Sequence, residues 1–252
     1  MYPGAGYNGL LVLPEDAEVG ADVKPILGLD DWIFDIAITA NRPDCQSIFG
    51  IAREVAAVLG TELHEPALTY TETEVKKEGF QVSVDAISNV VDITNYVLKE
   101  LGQPMHAFDC SYLEGNEIRV RRAKEGEKIV TLDEKEFTLN PSNLVICDGV
   151  KSVALAGIMG GLNSEIRDTT TEVMFEAAKF ARDNVRKSSR ALGQSSDSSA
   201  RFAKGVDEYT TVMAMKRALH LMEELGCGKV SSTHLDVNTG NSIQPVEMKI
   251  SV

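Results

Sequence analysis

The chain is predicted to be an α+β protein, mixed sheets with packed helices, on three observations. Apolar residues recur at helical spacing in separated blocks: Ile48, Ile51, Val55, Val58; Val91, Thr94, Leu98, Leu101; and Val212, Met215, Leu219, Met222. Between the second and third blocks lie short β-type runs punctuated by turn residues. The two kinds of element do not alternate regularly, which argues against a βαβ repeat.

Taken in order, Trp32 to Thr39 reads as a strand, and Ser47 to Leu59 as a helix with Gly60 placed to end it. Gln81 to Asp85 reads as a strand and Ser88 to Leu101 as a helix stopped by Gly102. Short strands follow at Ile118 to Arg122, Lys128 to Leu132, Glu136 to Leu139 and Leu144 to Cys147. The last of these turns at Asp148-Gly149 into Ser152 to Ala156. Glu172 to Ala178 is a further strand; Arg182 to Leu192 and Glu208 to Leu225 are helices, each followed by a glycine. From Lys229 the chain is polar and turn-rich, ending on an alternating run, Val246 to Val252, with nothing after it to pair. Such an end suggests a chain cut inside a further domain. The expected parts are 1–60, 61–228 and 229–252.

A net charge of −13 argues against general nucleic-acid affinity, because phosphate binding needs clustered Lys and Arg. Any RNA contact must be local or supplied by a partner. No run approaches the roughly 18 apolar residues of a membrane span, and Met1 to Gly6 is no signal peptide. Cys45, Cys110, Cys147 and Cys227 stand far apart, which gives neither a zinc spacing nor a disulfide framework. No metal site is expected. Reduced thiols in a cytoplasmic protein are the default.

Five places invite chemistry. After Gly102 a Pro-fixed turn presents His106 from irregular backbone, either as a structural corner or as a titratable group on an ordered loop. Strand alternation puts Met174, Glu176 and Ala178 on one face, with both faces largely apolar. A carboxylate there is either ion-paired and buried or lines a pocket. Leu155-Ala-Gly-Ile-Met-Gly-Gly161 holds three glycines where backbone turns tightly or approaches a ligand. Arg182, Arg186 and Arg190 lie four apart on one helix face beside Lys187, a pattern that more often marks a solvated face than a binding one. Thr94 lies on an apolar stripe, where a helical threonine commonly bonds back to the carbonyl four residues earlier. No Gly-x-Ser-x-Gly elbow, P-loop or metal-ligand helix is present, which disfavours a covalent hydrolase or a stand-alone metalloenzyme.

Several segments, in order along nearly the whole chain, resemble the β chain of bacterial phenylalanyl-tRNA synthetase. They are Ala40-Asn-Arg-Pro-Asp44 with Gly50-Ile-Ala-Arg-Glu-Val-Ala56; Thr94-Asn-Tyr-Val97 through Gly102-Gln-Pro-Met-His-Ala-Phe-Asp109; the Leu155 to Gly161 motif with Asn163-Ser-Glu165; and Arg201-Phe202 with Lys204-Gly-Val-Asp207. The resemblance implies an internal piece of that chain containing its editing module, which hydrolyses tyrosine mischarged onto phenylalanine tRNA. It implies that Glu176 recognises the phenol hydroxyl, that Ala156 and Gly157 form the pocket floor, and that Thr94 and His106 form a wall. His106 would bind the terminal ribose or order a water. A positioned water would do the hydrolysis. The arginines of 182–190 become the candidate tRNA contact. The implied partners are phenylalanine tRNA carrying tyrosine and the synthetase α chain of a heterotetramer, with no membrane. No cofactor is implied for this piece, since ATP and magnesium serve aminoacylation elsewhere, and the piece is not expected to aminoacylate alone. The rival reading is a non-catalytic tRNA-docking or subunit-scaffolding module. The chain departs from the pattern at Gln194-Ser195, where Leu-Arg is usual, and at Ala200 and Ala203, where larger residues are common.

Overall fold

Two strands, β3 (Met105–Asp109) and β10 (Val173–Ala177), pair antiparallel at the centre of the fold. The computed structural model describes residues 13–73, 83–84, 87–232 and 234–237. It divides into two compact units, Met1–Ala37 and Ile38–Val252.

In the first unit, a single helical turn, α1 (Val23–Ile26), is capped by the Asp22 carboxylate, which accepts from the Lys24 N–H. The expected strand from Trp32 to Thr39 does not form. No described strand offers it a ladder, and Trp32, Ile33 and Phe34 are exposed.

The second unit begins with α2 (Ile48–Leu59). Ser47 caps its N-terminus by accepting from the Gly50 N–H at 2.9 Å, and Gly60 closes it at φ 65°. Its apolar stripe faces outward: Ile48, Val55 and Val58 are exposed, while Gly50 and Ala56 are buried. The close approach of the Asp44 carbonyl to Gly50 leaves no room for a side chain there. A three-stranded sheet joins β1 (Glu72–Thr73), β11 (Gly228–Ser231) and β2 (Ser83–Val84) in the order β1-β11-β2. Thus a strand occupies the start of the supposedly irregular stretch from Lys229. The run Val246 to Val252 lies outside the described residues.

Two helices, α3 (Ile87–Leu101) and α6 (Glu208–Glu224), cover one face of the β3–β10 ribbon. Their buried residues Val90, Ile93, Val97, Leu101, Ala214, Ala218 and Met222 share a core with Met105, Ala107 and Val173. The register of burial differs from the predicted stripes, for Val91 and Val212 are exposed. Both helices carry apolar residues over a broad arc, and the contact with the ribbon selects which part is buried.

The other face of the ribbon meets a β-rich layer. Strands β4 (Arg119–Arg122), β7 (Leu144–Cys147), β8 (Ser152–Leu155) and β9 (Met159–Gly160) form one antiparallel sheet in that order. A hairpin of β5 (Lys128–Val130) and β6 (Glu136–Thr138) is tied to it by a bridge between Thr131 and Gly161. Phe108 packs into this layer with Met174 and Ala178 beside it. Helices α4 (Arg182–Leu192) and α5 (Asp197–Lys204) complete it through Val185 and Phe202. The predicted hairpin at Asp148-Gly149 closes with the Asp148 N–H donating to the Lys151 carbonyl at 3.0 Å.

Candidate functional site

Pairing of β3 with β10 places Glu176 directly opposite His106, with Met174 opposite Phe108. Facing residues of an antiparallel pair project to the same side with Cβ atoms about 5 Å apart. The alternate residues Met105, Ala107, Val173 and Ala177 face the helices instead. His106 therefore stands on a regular strand, not on the irregular turn expected of it. The backbone left the turn at Pro104, and the ladder fixes the ring where a loop would not.

The His106 ring stands edge-on to Phe108, centroids 4.5 Å apart, and its Nε2 is buried without a hydrogen-bond partner. Desolvation lowers its pKa from 6.5 to about 4, so the imidazole is neutral at physiological pH. Desolvation also raises Glu176 from 4.5 to about 7. Both residues are partly exposed. Glu176 forms no ion pair among the described residues, so nothing holds its charged form. An acid near its midpoint at neutral pH can accept or donate a hydrogen bond.

The second wall is Gly160. A Cβ built there would fall within 2.7 Å of His106 Nε2, closer still to Cε1, and 3.0 Å from Leu132 Cδ1. The imidazole and the Leu132 methyl thus converge on bare backbone. Sequence reasoning passed over Gly160, Leu132 and Phe108. The second glycine of the Leu155 to Gly161 motif was the available signal, but only strand register tells which glycine meets the histidine.

Ala156 and Gly157 sit differently from expectation. Ala156 is buried, and its N–H donates to the Leu144 carbonyl at 3.1 Å, which leaves no free donor there. Gly157 has φ 69°, and the space a side chain would take is filled by Phe180, Phe202 and Val185 at 3.0 to 3.1 Å. Its glycine answers to turn geometry and core packing. Together the two residues shape the bend that carries Gly160 to His106.

Thr94 is buried in α3, whose neighbouring residues pack on the helix-covered face of the ribbon. Its hydroxyl donates to the Val91 carbonyl, three residues earlier rather than four, at 2.7 Å. No hydrogen bond joins Thr94 to His106 or Glu176 among the described residues.

Residues 60–227 match the B3/4 domain family. The chain belongs to that family. It is similar to curated phenylalanine--tRNA ligase beta subunits: 42% identical to one from Syntrophus aciditrophicus over 92% of this chain, and 40% identical to one from Clostridium tetani over 98%. A beta subunit from Bacillus cereus is 41% identical over 97%. The chain spans about a third of the length of these relatives, 34–36% of each.

Outside the ribbon, the B3/4 domain carries its arginine helix as a solvated surface. Arg182, Arg186, Lys187 and Arg190 are all exposed on α4, and Asp183 lies 3.8 Å from Arg182 and 3.3 Å from Arg186. Among the described residues, the cluster with metal-ligand spacing is Asp44, Cys45 and Glu54, and Arg42 already pairs with both carboxylates. No described helix is long and apolar enough to cross a membrane.

Proposed function

We propose that this chain carries a hydrolytic editing site of a phenylalanine--tRNA ligase beta subunit, discharging tyrosine from phenylalanine tRNA. The observation that carries the reading is the facing of Glu176 and His106, two desolvated titratable groups without an ion-pair partner, on one side of the ribbon. Glu176 takes the phenol hydroxyl of the tyrosyl ester. Phenylalanine lacks that hydroxyl and leaves the desolvated carboxyl unsatisfied, and sites built on such a bond reject the analogue by about 10⁴–10⁵-fold.

The neutral imidazole of His106 offers one acceptor nitrogen, suited to holding a water or a terminal ribose hydroxyl beside the ester. Attack of water on the ester carbonyl yields free tyrosine and uncharged tRNA, and needs no covalent enzyme intermediate. Ala156, Gly157 and Thr94 support this arrangement by shape. The exposed arginines of α4 contact the tRNA backbone. The tRNA acceptor end, the synthetase α chain and a cytoplasmic setting complete the proposal, with ATP and magnesium used elsewhere in the enzyme.

The test is release of tyrosine from tyrosylated phenylalanine tRNA by the complete synthetase, wild type against Glu176→Ala. Loss of a buried hydrogen bond to an ionisable group predicts a drop of about 10- to 100-fold in the variant. Wild type no faster than buffer would leave a docking or scaffolding module. Equal rates would remove Glu176 from recognition.

A further inference from the structure

The wall beside His106 is held from a distance. The turn between β5 and β6, residues 131–135, delivers Leu132 to the bare face of Gly160. There the Leu132 N–H donates to the Gly160 carbonyl at 3.0 Å. The same turn runs through Glu134 at φ 60°, a left-handed conformation that a glutamate adopts at a cost. Something must hold it. Within the turn, Thr131 Oγ1 donates to Asp133 Oδ1 at 2.6 Å, and Lys135 pairs with Asp133 Oδ2 at 2.7 Å.

Backbone bonds close the turn as well, the Glu134 N–H donating to the Thr131 carbonyl at 2.8 Å and the Thr131 N–H to the Lys135 carbonyl at 3.0 Å. The hold from outside the turn comes from Gln194, which directly follows Gly193, the C-cap of α4. Its side-chain Nε2 donates to Asp133 Oδ2 at 3.0 Å, and its Oε1 accepts from Lys135 Nζ at 3.3 Å. Only 3% of Gln194 is exposed. Its main chain is fixed to the last turn of α4, where its N–H donates to the Ser189 carbonyl at 3.0 Å and its carbonyl accepts from Ser189 Oγ at 2.5 Å. A buried amide on a rigid helix end therefore grips two of the three charged residues of a strained turn, Asp133 and Lys135.

We propose that Gln194 is a positioning residue of the editing pocket, a latch from the arginine helix to the turn that seats Leu132 against Gly160 and His106. Its effect on hydrolysis rests on the editing reading; its effect on the turn does not.

Two measurements separate these. Amide hydrogen exchange at Leu132 reads the latch directly, and tyrosine release by the complete synthetase reads its consequence. Gln194→Ala should speed Leu132 exchange and lower kcat, with little change in KM for the tRNA. The drop should be of order 10-fold and at most about 100-fold, the cost of misplacing a site wall. Asp133→Ala, at an exposed turn position, provides a second variant should Gln194→Ala fold poorly. It should reproduce the effect, and the double variant should be no worse than either single one. Unchanged Leu132 exchange in both variants overturns the latch, whatever hydrolysis does. Faster exchange with undiminished hydrolysis overturns its role in positioning. A wild type that does not hydrolyse sinks the editing reading, while the exchange result still decides the latch.

Discussion

The two faces of the β3–β10 ribbon are made from alternate residues of the same strands, yet they do opposite things. The helix-covered face, with Met105, Ala107 and Val173 against α3 and α6, is apolar and closed. The other face places His106 and Glu176 side by side within a β-rich layer, and burial there penalises both charged forms. One face is apolar core, and the other carries two titratable groups whose charged forms burial disfavours. Alternation with a period of two lets a single short ribbon serve as both core and candidate site.

The largest expected effect lies on the closed face. Met222 in α6 is fully buried, and truncating such a side chain costs about 2–5 kcal/mol. Met222→Ala should lose stability in that range by urea unfolding, while protein that remains folded hydrolyses tyrosyl ester at the wild-type rate. Loss of turnover at full folding would show that the helix layer takes part in the site and would erase the contrast between the faces.

A smaller effect separates the faces by titration. Stability changes with pH according to the difference in bound protons between unfolded and native chains. Glu176, raised from 4.5 to about 7, holds its proton longer when native, so its contribution falls as pH rises through that window. His106, lowered from 6.5 to about 4, loses its proton earlier when native, so its contribution rises with pH between those values. The two slopes oppose each other across the shared range. His106→Gln should leave stability falling as pH rises, and Glu176→Gln should leave it rising. Each slope approaches at most about 1.4 kcal/mol per pH unit. If neither variant tilts the profile, His106 and Glu176 are solvated and their charged forms are not penalised.

How far the sequence reveals this contrast depends on whether the partner is local. The ends of α4 were legible because Arg182 opens a periodic run and Gly193 closes it. The side on which Glu176 lies was legible from alternation alone. Strand β3 was not, because Met-His-Ala-Phe-Asp is covered on both faces and carries no clean period. His106 consequently read as a loop residue. The contacts of Gly157 with Phe180 and Phe202, and of Gln194 with Asp133, join residues distant in sequence that no local pattern connects. The outward stripe of α2 misled for a related reason. Periodicity identifies an apolar face, but the packing of Gly50 on Asp44 decides which face turns inward.

The smallest effect on stability belongs to the surface that neither face of the ribbon touches. Arg182, Arg186 and Arg190 are exposed, and the ion pairs of Arg182 and Arg186 with Asp183 are solvent-screened. Replacing all three by alanine should shift stability by no more than about 0.5 kcal/mol per position. Binding of phenylalanine tRNA should respond instead, because each phosphate contact releases counterions. The slope of log affinity against log salt should shrink by about 2–3 if all three arginines reach phosphates. Asp183 sets the direction of a finer check. Asp183→Asn frees Arg182 and Arg186 from their shared carboxylate and should strengthen binding at low salt. An unchanged slope in the triple variant would return α4 to the status of a solvated face. The latch at Gln194 would then steady the pocket without relaying tRNA contact to it.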